Sequence, residues 1–96
     1  MTIEEIERAL HTHVVQKQSY MAQLNEAESA LHELTDEEEA YKLVGSIMLK
    51  ADPAKLKEEL QERKQSLTTR IASIEKQEQK LQQQLEKEQQ ALLGDA

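Results

Sequence analysis

The chain has 96 residues and a formal net charge of −7, with no Phe, Trp or Cys and only two Tyr. A compact globule of this size normally uses aromatic side chains, because rings bury the largest area per residue. The abundance of Ala, Glu, Lys, Leu and Gln favours long helices or a coiled coil instead. The missing cysteines exclude a disulfide scaffold, and the acidic balance argues against nucleic acid and anionic membranes as partners. We expect a single cytoplasmic unit over residues 1–96.

The first predicted helix covers residues 2–34. Thr2 and Glu5 have the spacing of a capping box, in which each residue satisfies a free backbone N–H at the helix start. Behind them, residues three and four apart form a continuous heptad seam. The seam consists of Ile3, Ile6, Leu10, His13, Lys17, Tyr20, Leu24, Ala27, Leu31 and Leu34. Thr35 and Asp36 have turn chemistry, so a connector should follow.

An apolar segment interrupts the charged pattern within the connector and hairpin, residues 35–51. Its β-branched, aliphatic and aromatic side chains favour a pleated, half-buried surface. Gly45 and Ser46 predict a two-residue type II′ turn with glycine in the first position. Such a hairpin pairs Val44 with Ile47, and the residue numbers of every cross-strand pair then sum to 91.

The second predicted helix covers residues 53–93. Asp52 suits the N-cap, Pro53 has a backbone angle already set for the first turn, and Gly94 suits the C-cap. Its seam again has steps of three and four. This seam consists of Lys57, Leu60, Lys64, Leu67, Ile71, Ile74, Glu78, Leu81, Leu85, Glu88 and Leu92.

The sum of 91 also holds between the two seams, so they predict an antiparallel two-helix coiled coil. In this register His13 faces Glu78, and Lys17 faces Ile74. The pair of His13 and Glu78 has two interpretations. It could be a pH-sensitive contact, because histidine titrates near neutral pH, or a polar position that determines the register.

Both faces of the predicted hairpin are apolar. Val44, Ile47 and Leu49 alternate onto one face, and Tyr41, Leu43 and Met48 onto the other. A two-stranded hairpin is marginal, and two helices cannot cover both of its faces. We therefore expect hairpins of several chains to combine into one sheet or barrel, although a tight connector that caps its own coil is the alternative. The predicted oligomerisation residues are Tyr41, Leu43, Val44, Gly45, Ile47, Met48 and Leu49.

The order of these elements resembles the beta-type subunits of the prefoldin family. Three dipeptides carry the resemblance: Tyr41-Lys42 opens the first strand, Val44-Gly45 lies at the turn and Leu49-Lys50 closes the second strand. The helix with "RIASIEKQEQKLQQQLEK" follows its proline start. Two features depart from the family pattern: Ser46 stands where many relatives have proline, and both helices are shorter than usual.

This resemblance implies a hexamer of alpha-type and beta-type subunits, with the hairpins in its body and six coiled coils projecting from it. It also implies an ATP-independent chaperone that holds unfolded proteins such as actin or tubulin and delivers them to a group II chaperonin. Frayed ends expose side chains, so the tip residues are the candidates for client binding. These are Ile3, Ile6, Leu92 and Leu93.

Other classes of function find less support in the sequence. His11 and His13 are two residues apart and point to different sides of a helix, so they cannot chelate one metal ion together. The chain has no glycine-rich phosphate loop, and a hairpin with two helices offers no enclosed pocket for catalysis. We expect no catalytic residues, metal or cofactor. A structural coiled-coil tether without clients is the alternative function, but a parallel coiled coil would have no use for the hairpin.

Overall fold

The structure is a computed structural model, and it describes residues 1–34 and 39–94. Two long helices flank one antiparallel hairpin, which confirms the predicted fold class. The elements are α1 (Ile3–Glu33), β1 (Ala40–Val44), β2 (Ile47–Ala51) and α2 (Pro53–Gly94). The predicted turn at Thr35 and Asp36 falls outside the described residues.

The helix starts follow the predicted capping chemistry. The backbone N–H of Glu5 donates to the Thr2 hydroxyl oxygen at 3.2 Å, at the first turn of α1. At the first turn of α2, the N–H of Ala54 donates to a carboxylate oxygen of Asp52 at 3.1 Å. Each cap satisfies a backbone donor that the helix itself leaves without a partner. Both helices therefore begin within one residue of the predicted position.

The chain forms two compact units. The first unit consists of Met1–Met21 and Thr69–Ala96, and the second of Ala22–Thr68. The N-terminal part of α1 thus lies with the C-terminal part of α2 in the first unit. The second unit contains the hairpin and the helix segments that adjoin it.

Polar contacts within each unit show that α1 and α2 run antiparallel. In the first unit the guanidinium of Arg70 lies 5.7 Å from the centre of the Tyr20 ring. In the second unit, Lys64 Nζ and a carboxylate oxygen of Glu28 are 3.9 Å apart. The residue numbers of these two pairs sum to 90 for Tyr20 with Arg70 and to 92 for Glu28 with Lys64. Each contact is therefore within one residue of the predicted sum of 91. The predicted antiparallel register therefore describes the helix pair in both units.

Burial confirms the seam of α1 at all ten predicted positions, each of which is buried or half-buried. The most deeply buried side chains belong to both helices and to the first residue of β1. They are Ile6, Ala27, Ala40, Leu67, Ile74 and Leu85. Most are aliphatic seam residues, as expected for helices that bury a stripe against each other.

The predicted seam of α2 is wrong at its two ends and at one lysine between them. Lys57 is exposed, while its neighbour Leu56 is half-buried beside the hairpin. Lys64 is exposed because its ammonium reaches outwards towards Glu28. Glu88 and Leu92 are exposed as well. The three- and four-residue spacing leaves two choices at each step, and at the start of α2 burial selects the apolar one, Leu56.

Candidate functional site

The hairpin has the predicted register and turn. Val44 pairs with Ile47, and the pairing continues outwards to Ala40 and Ala51. Gly45 has a φ of +62°, and no described residue other than glycine has a positive φ. A type I′ turn would require a positive φ at Ser46 as well, so the turn is type II′. Glycine is favoured at this position because a side chain would strain the left-handed backbone.

Apolar side chains cover both faces of this hairpin and are exposed on the chain. The exposed fractions run from 50 % for Val44 and Leu49 to 68 % for Met48. The exposed set is Tyr41, Leu43, Val44, Ile47, Met48 and Leu49. Six large apolar side chains within nine residues thus leave both faces of the hairpin apolar and exposed, as at protein interaction surfaces. We call these six residues the assembly surface.

The two helices cover this surface only at its margin. Tyr41 lines an open groove with Leu34, Leu56 and Leu60, and Leu43 lines a neighbouring one. Both side chains nevertheless remain more than half exposed. The chain therefore does not complete its own core around the hairpin, contrary to what a simple connector that caps its own coil would do.

An ion pair joins the first strand to the second helix. Lys42 Nζ lies 3.1 Å from a carboxylate oxygen of Glu59 on α2. Both side chains are about half exposed, so the pair adds little stability. Its position links the centre of β1 to the second turn of α2. The sequence pattern gave no signal for this contact, because the two residues belong to elements of different periodicity.

The four predicted client-binding residues differ in exposure. Ile6 is fully buried and Ile3 is half-buried, whereas Leu92 and Leu93 are 65 % and 77 % exposed. The register places Ile3 opposite Glu88, so the last turns of α2 extend beyond the first turn of α1. Met1, which the seam pattern does not include, is exposed as well. We call Met1, Ile3, Leu92 and Leu93 the tip surface.

A polar contact interrupts the seam of the first unit. The Lys17 ammonium donates a hydrogen bond to Glu78 at 2.7 Å, and both side chains are mostly shielded from solvent. The predicted register places His13 opposite Glu78, but the hydrogen bond to Glu78 comes from Lys17. His13 Nδ1 is buried without a hydrogen-bond partner among the described residues. Lys17 lies one helical turn after His13 on α1, and its long side chain reaches Glu78.

The environment of Lys17 favours its charged form. The hydrogen bond to Glu78 raises the pKa of Lys17 above its ordinary value, and the negative charges of Glu78 and Glu75 act in the same direction. Partial burial opposes this shift only in part. Lys17 therefore stays charged through the neutral pH range, which favours a role of this contact in specifying the register over a pH-sensitive one.

Helices α1 and α2 do not resemble membrane segments. Within residues 1–34 and 39–94, neither is apolar enough over a sufficient length to cross a bilayer.

An antiparallel helix pair that carries an uncovered apolar hairpin defines a class of protein: a subunit whose core is completed by other chains. Comparison with known proteins identifies the family. A family model described as "Prefoldin subunit" matches residues 1–94, so the chain belongs to the prefoldin subunit family. Prefoldin subunits assemble with other prefoldin subunits, and the family consists of non-enzymatic chaperones.

The curated relatives are beta subunits of archaeal prefoldins. "Prefoldin subunit beta" of Thermococcus onnurineus is 38 % identical over 79 residues, which cover 79 % of this chain and 68 % of the relative. The corresponding protein of Pyrococcus furiosus is 38 % identical over 80 residues, with 80 % and 68 % covered. That of Archaeoglobus fulgidus is 32 % identical over 93 residues, with 94 % and 80 % covered. These matches confirm the resemblance to the beta type.

A solved structure supports the same conclusion. The crystal structure of the prefoldin beta subunit from Thermococcus strain KS-1 superposes with a TM-score of 0.88 at 31 % identity. The match covers 97 % of this chain and 84 % of that chain. The similarity therefore extends over both helices and the hairpin.

Proposed function

We propose that this chain is a beta-type subunit of a hexameric, ATP-independent chaperone that holds unfolded proteins and has no catalytic activity of its own. Residues 1–96 act as one prefoldin-type unit in this proposal. The observation that carries it is the assembly surface, because six exposed apolar side chains on both faces of a hairpin require other chains to cover them. A tether without clients is less well supported, since the relatives found are named as prefoldin subunits.

Assembly through the hairpins follows from the burial of these side chains. Full burial of one large aliphatic side chain is worth about 1.5–3 kcal/mol. Since about half or more of each of the six is exposed on the chain, their further burial provides roughly 6 kcal/mol or more per subunit. The free edges of β1 and β2 also gain hydrogen-bonded partners when hairpins of neighbouring chains join. We propose a barrel of hairpins from beta-type and alpha-type subunits as the body of the hexamer.

Native mass spectrometry tests this assembly. The chain should form a defined oligomer, and mixing it with an alpha-type prefoldin subunit should give a hexamer of alpha and beta chains. A chain that stays monomeric in both conditions would contradict the proposed assembly.

Client binding is assigned in this proposal to the tip surface. Leu92 and Leu93 are 65 % and 77 % exposed, so they are free to contact apolar side chains of an unfolded polypeptide. One such contact is weak, but several subunits in one oligomer bind the same polypeptide at high effective concentration. We propose that clients, which include proteins such as actin or tubulin, pass from this surface to a group II chaperonin in the cytoplasm.

The contrast in burial between Ile6 and the two leucines makes this assignment testable. The double substitution Leu92→Ser and Leu93→Ser should leave the melting temperature within about 3 °C of the wild type, because little buried area is lost. The same variant should lose most of its ability to suppress light scattering by a diluted, denatured substrate. Ile6→Ser is the matched comparison: it removes a fully buried side chain and should lower the melting temperature by more than 5 °C.

Assembly state has to be checked in parallel by native mass spectrometry. If the double leucine variant forms the wild-type oligomer and protects the substrate fully, client binding lies elsewhere on the molecule. ATP should change none of these results, because the chain has no phosphate-binding loop.

A further inference from the structure

The tip surface lies within an acidic environment. Glu7 is one helical turn after Ile3, and Glu88 is one turn before Leu92, so each carboxylate shares a helix face with an apolar residue of the tip. Glu4, Glu5 and Glu86 lie nearby on the same two helix segments. All five glutamates are exposed, and within the described part of the chain no ion pair involves any of them.

Few cations offset these carboxylates. Arg8 and Lys87 are the basic side chains within residues 1–10 and 85–94, and the α-amino group of Met1 contributes a third positive charge. Five negative charges against three positive ones leave the region with a net charge of −2. This excess surrounds a small apolar patch.

The helix ends make the same region more negative. A helix N-terminus carries a partial positive charge and a C-terminus a partial negative charge. Glu4 and Glu5 offset the positive end of α1 in its first turn. The last turn of α2, however, contains no basic residue to offset its negative end.

We propose that the tip surface selects unfolded segments in which apolar side chains alternate with Lys or Arg, over equally apolar segments that carry Asp or Glu. This inference rests on the proposed client binding at the tip and specifies the class of client. The leucines and Met1 provide the contact with apolar side chains. The surrounding carboxylates and the negative end of the α2 dipole discriminate by charge.

The physical basis predicts a moderate and salt-dependent selectivity. Charges at the surface interact through water, so each pair contributes little by itself. Several carboxylates act on several peptide charges, however, and we expect a three- to tenfold difference in Kd between peptides of opposite charge at low salt. The difference should nearly vanish in 0.5 M salt, because the Debye length becomes shorter than the distances between the charges.

Two labelled peptides test the proposal on the full-length chain in its native assembly. They have the same length and the same apolar residues, with proline to prevent folding, and differ in carrying three lysines or three glutamates. Fluorescence anisotropy gives the Kd of each peptide at 50 mM and 500 mM salt. Three proteins are compared with the wild type: the tip-neutral variant Glu7→Gln/Glu86→Gln/Glu88→Gln, a charge control, and Leu92→Ser/Leu93→Ser.

The charge control is Glu26→Gln/Glu58→Gln/Glu62→Gln. It removes the same number of carboxylates from exposed positions of the second unit, so it changes the net charge of the chain equally. We expect the lysine peptide to bind more tightly to the wild type and to the charge control. In the tip-neutral variant the ratio of the two Kd values should fall towards one, while the glutamate peptide binds as well as or better than before.

The outcomes separate this inference from the function on which it rests. If both peptides bind equally to the wild type at 50 mM salt, and the leucine variant loses both, the tip binds clients without charge selection and the inference is wrong. If the charge control reduces the ratio as much as the tip-neutral variant does, the selectivity comes from the overall charge and the inference is again wrong. If the leucine variant binds both peptides like the wild type, the proposed client-binding function of the tip fails.

Discussion

Replacement of Val44 by Asp should dissociate the assembly while leaving the helices folded. Val44 is 50 % exposed on the chain, so roughly half of its side chain remains available for burial by other subunits. Loss of that half costs about 1 kcal/mol in transfer free energy. Burial of the new, charged carboxylate costs more than this, but the group can take up a proton and be buried in its neutral form. Because the ordinary pKa of Asp is about 3.9, this protonation at pH 7 requires about 4 kcal/mol, which is the upper limit of the cost. The total is about 5 kcal/mol per chain, or more than a thousandfold in the association constant.

Val15 provides a matched control for this substitution. It lies on α1 outside the seam and is 52 % exposed, nearly the same fraction as Val44. Val and Asp have similar helix propensities, so Val15→Asp should change little. Because the two valines are equally exposed on the chain, any difference between the variants reports on burial by other subunits.

Native mass spectrometry and sedimentation velocity measure the assembly, and far-ultraviolet circular dichroism measures the helix content. Val44→Asp should give free subunits with helix content close to that of the wild type, while Val15→Asp should keep the wild-type oligomer. A Val44→Asp protein that sediments as the wild type does would refute the role of the hairpin in assembly. Equal dissociation of both variants would show that the added charge acts without burial.

Three further predictions concern the register, the turn and the ion pair. Cysteines at Leu24 and Leu67 should form a disulfide within one chain, whereas a pair displaced by one heptad should not; non-reducing electrophoresis of monomer and dimer bands distinguishes these results. Gly45→Ala should destabilise the hairpin by about 1–2 kcal/mol, which denaturant titration of the oligomer measures. A new Cβ would meet no atom within 4 Å, so the strain of a positive φ should by itself cause the loss. Lys17→Met should lower the melting temperature by a few degrees, and addition of Glu78→Leu should restore part of it, because a lone carboxylate would lie partly buried. Folding raises the pKa of Lys17 above its ordinary value of 10.5. The contribution of Lys17 to the free energy of unfolding is therefore complete below pH 10.5 and is lost as the pH rises through the pKa of the folded state. The difference in melting temperature between wild type and Lys17→Met should therefore shrink in strongly alkaline solution.

The sequence was sufficient wherever the determining interactions are local. The helix starts at Thr2 and Asp52 depend on a side chain and a backbone N–H two or three residues away. The hairpin register depends on a two-residue turn, and glycine at its first position is the residue that tolerates the required φ. Because each of these features involves fewer than six consecutive residues, propensity and spacing were enough to predict them.

Heptad spacing also predicted which stripe of α1 is buried, but it could not decide between neighbours on α2. At the start of α2 both Leu56 and Lys57 fit a step of three or four from Leu60. The hairpin decides between them, because Leu56 lies in a groove with Tyr41 while Lys57 extends into solvent. The sequence does not state what lies beside a helix, and this information comes only from the arrangement of the elements.

The tertiary structure alone decided the polar contacts and the composition of the tip surface. The register gave Glu78 a facing residue in His13, yet Lys17 binds it, because the reach of a flexible side chain spans a full helical turn. A repeat likewise predicts that Ile6 and Leu92 are equivalent seam residues. Their burial differs nevertheless, since Ile6 is fully buried and Leu92 is 65 % exposed. Periodicity specifies the face of a helix, whereas burial depends on the residues that the tertiary structure places beside that face.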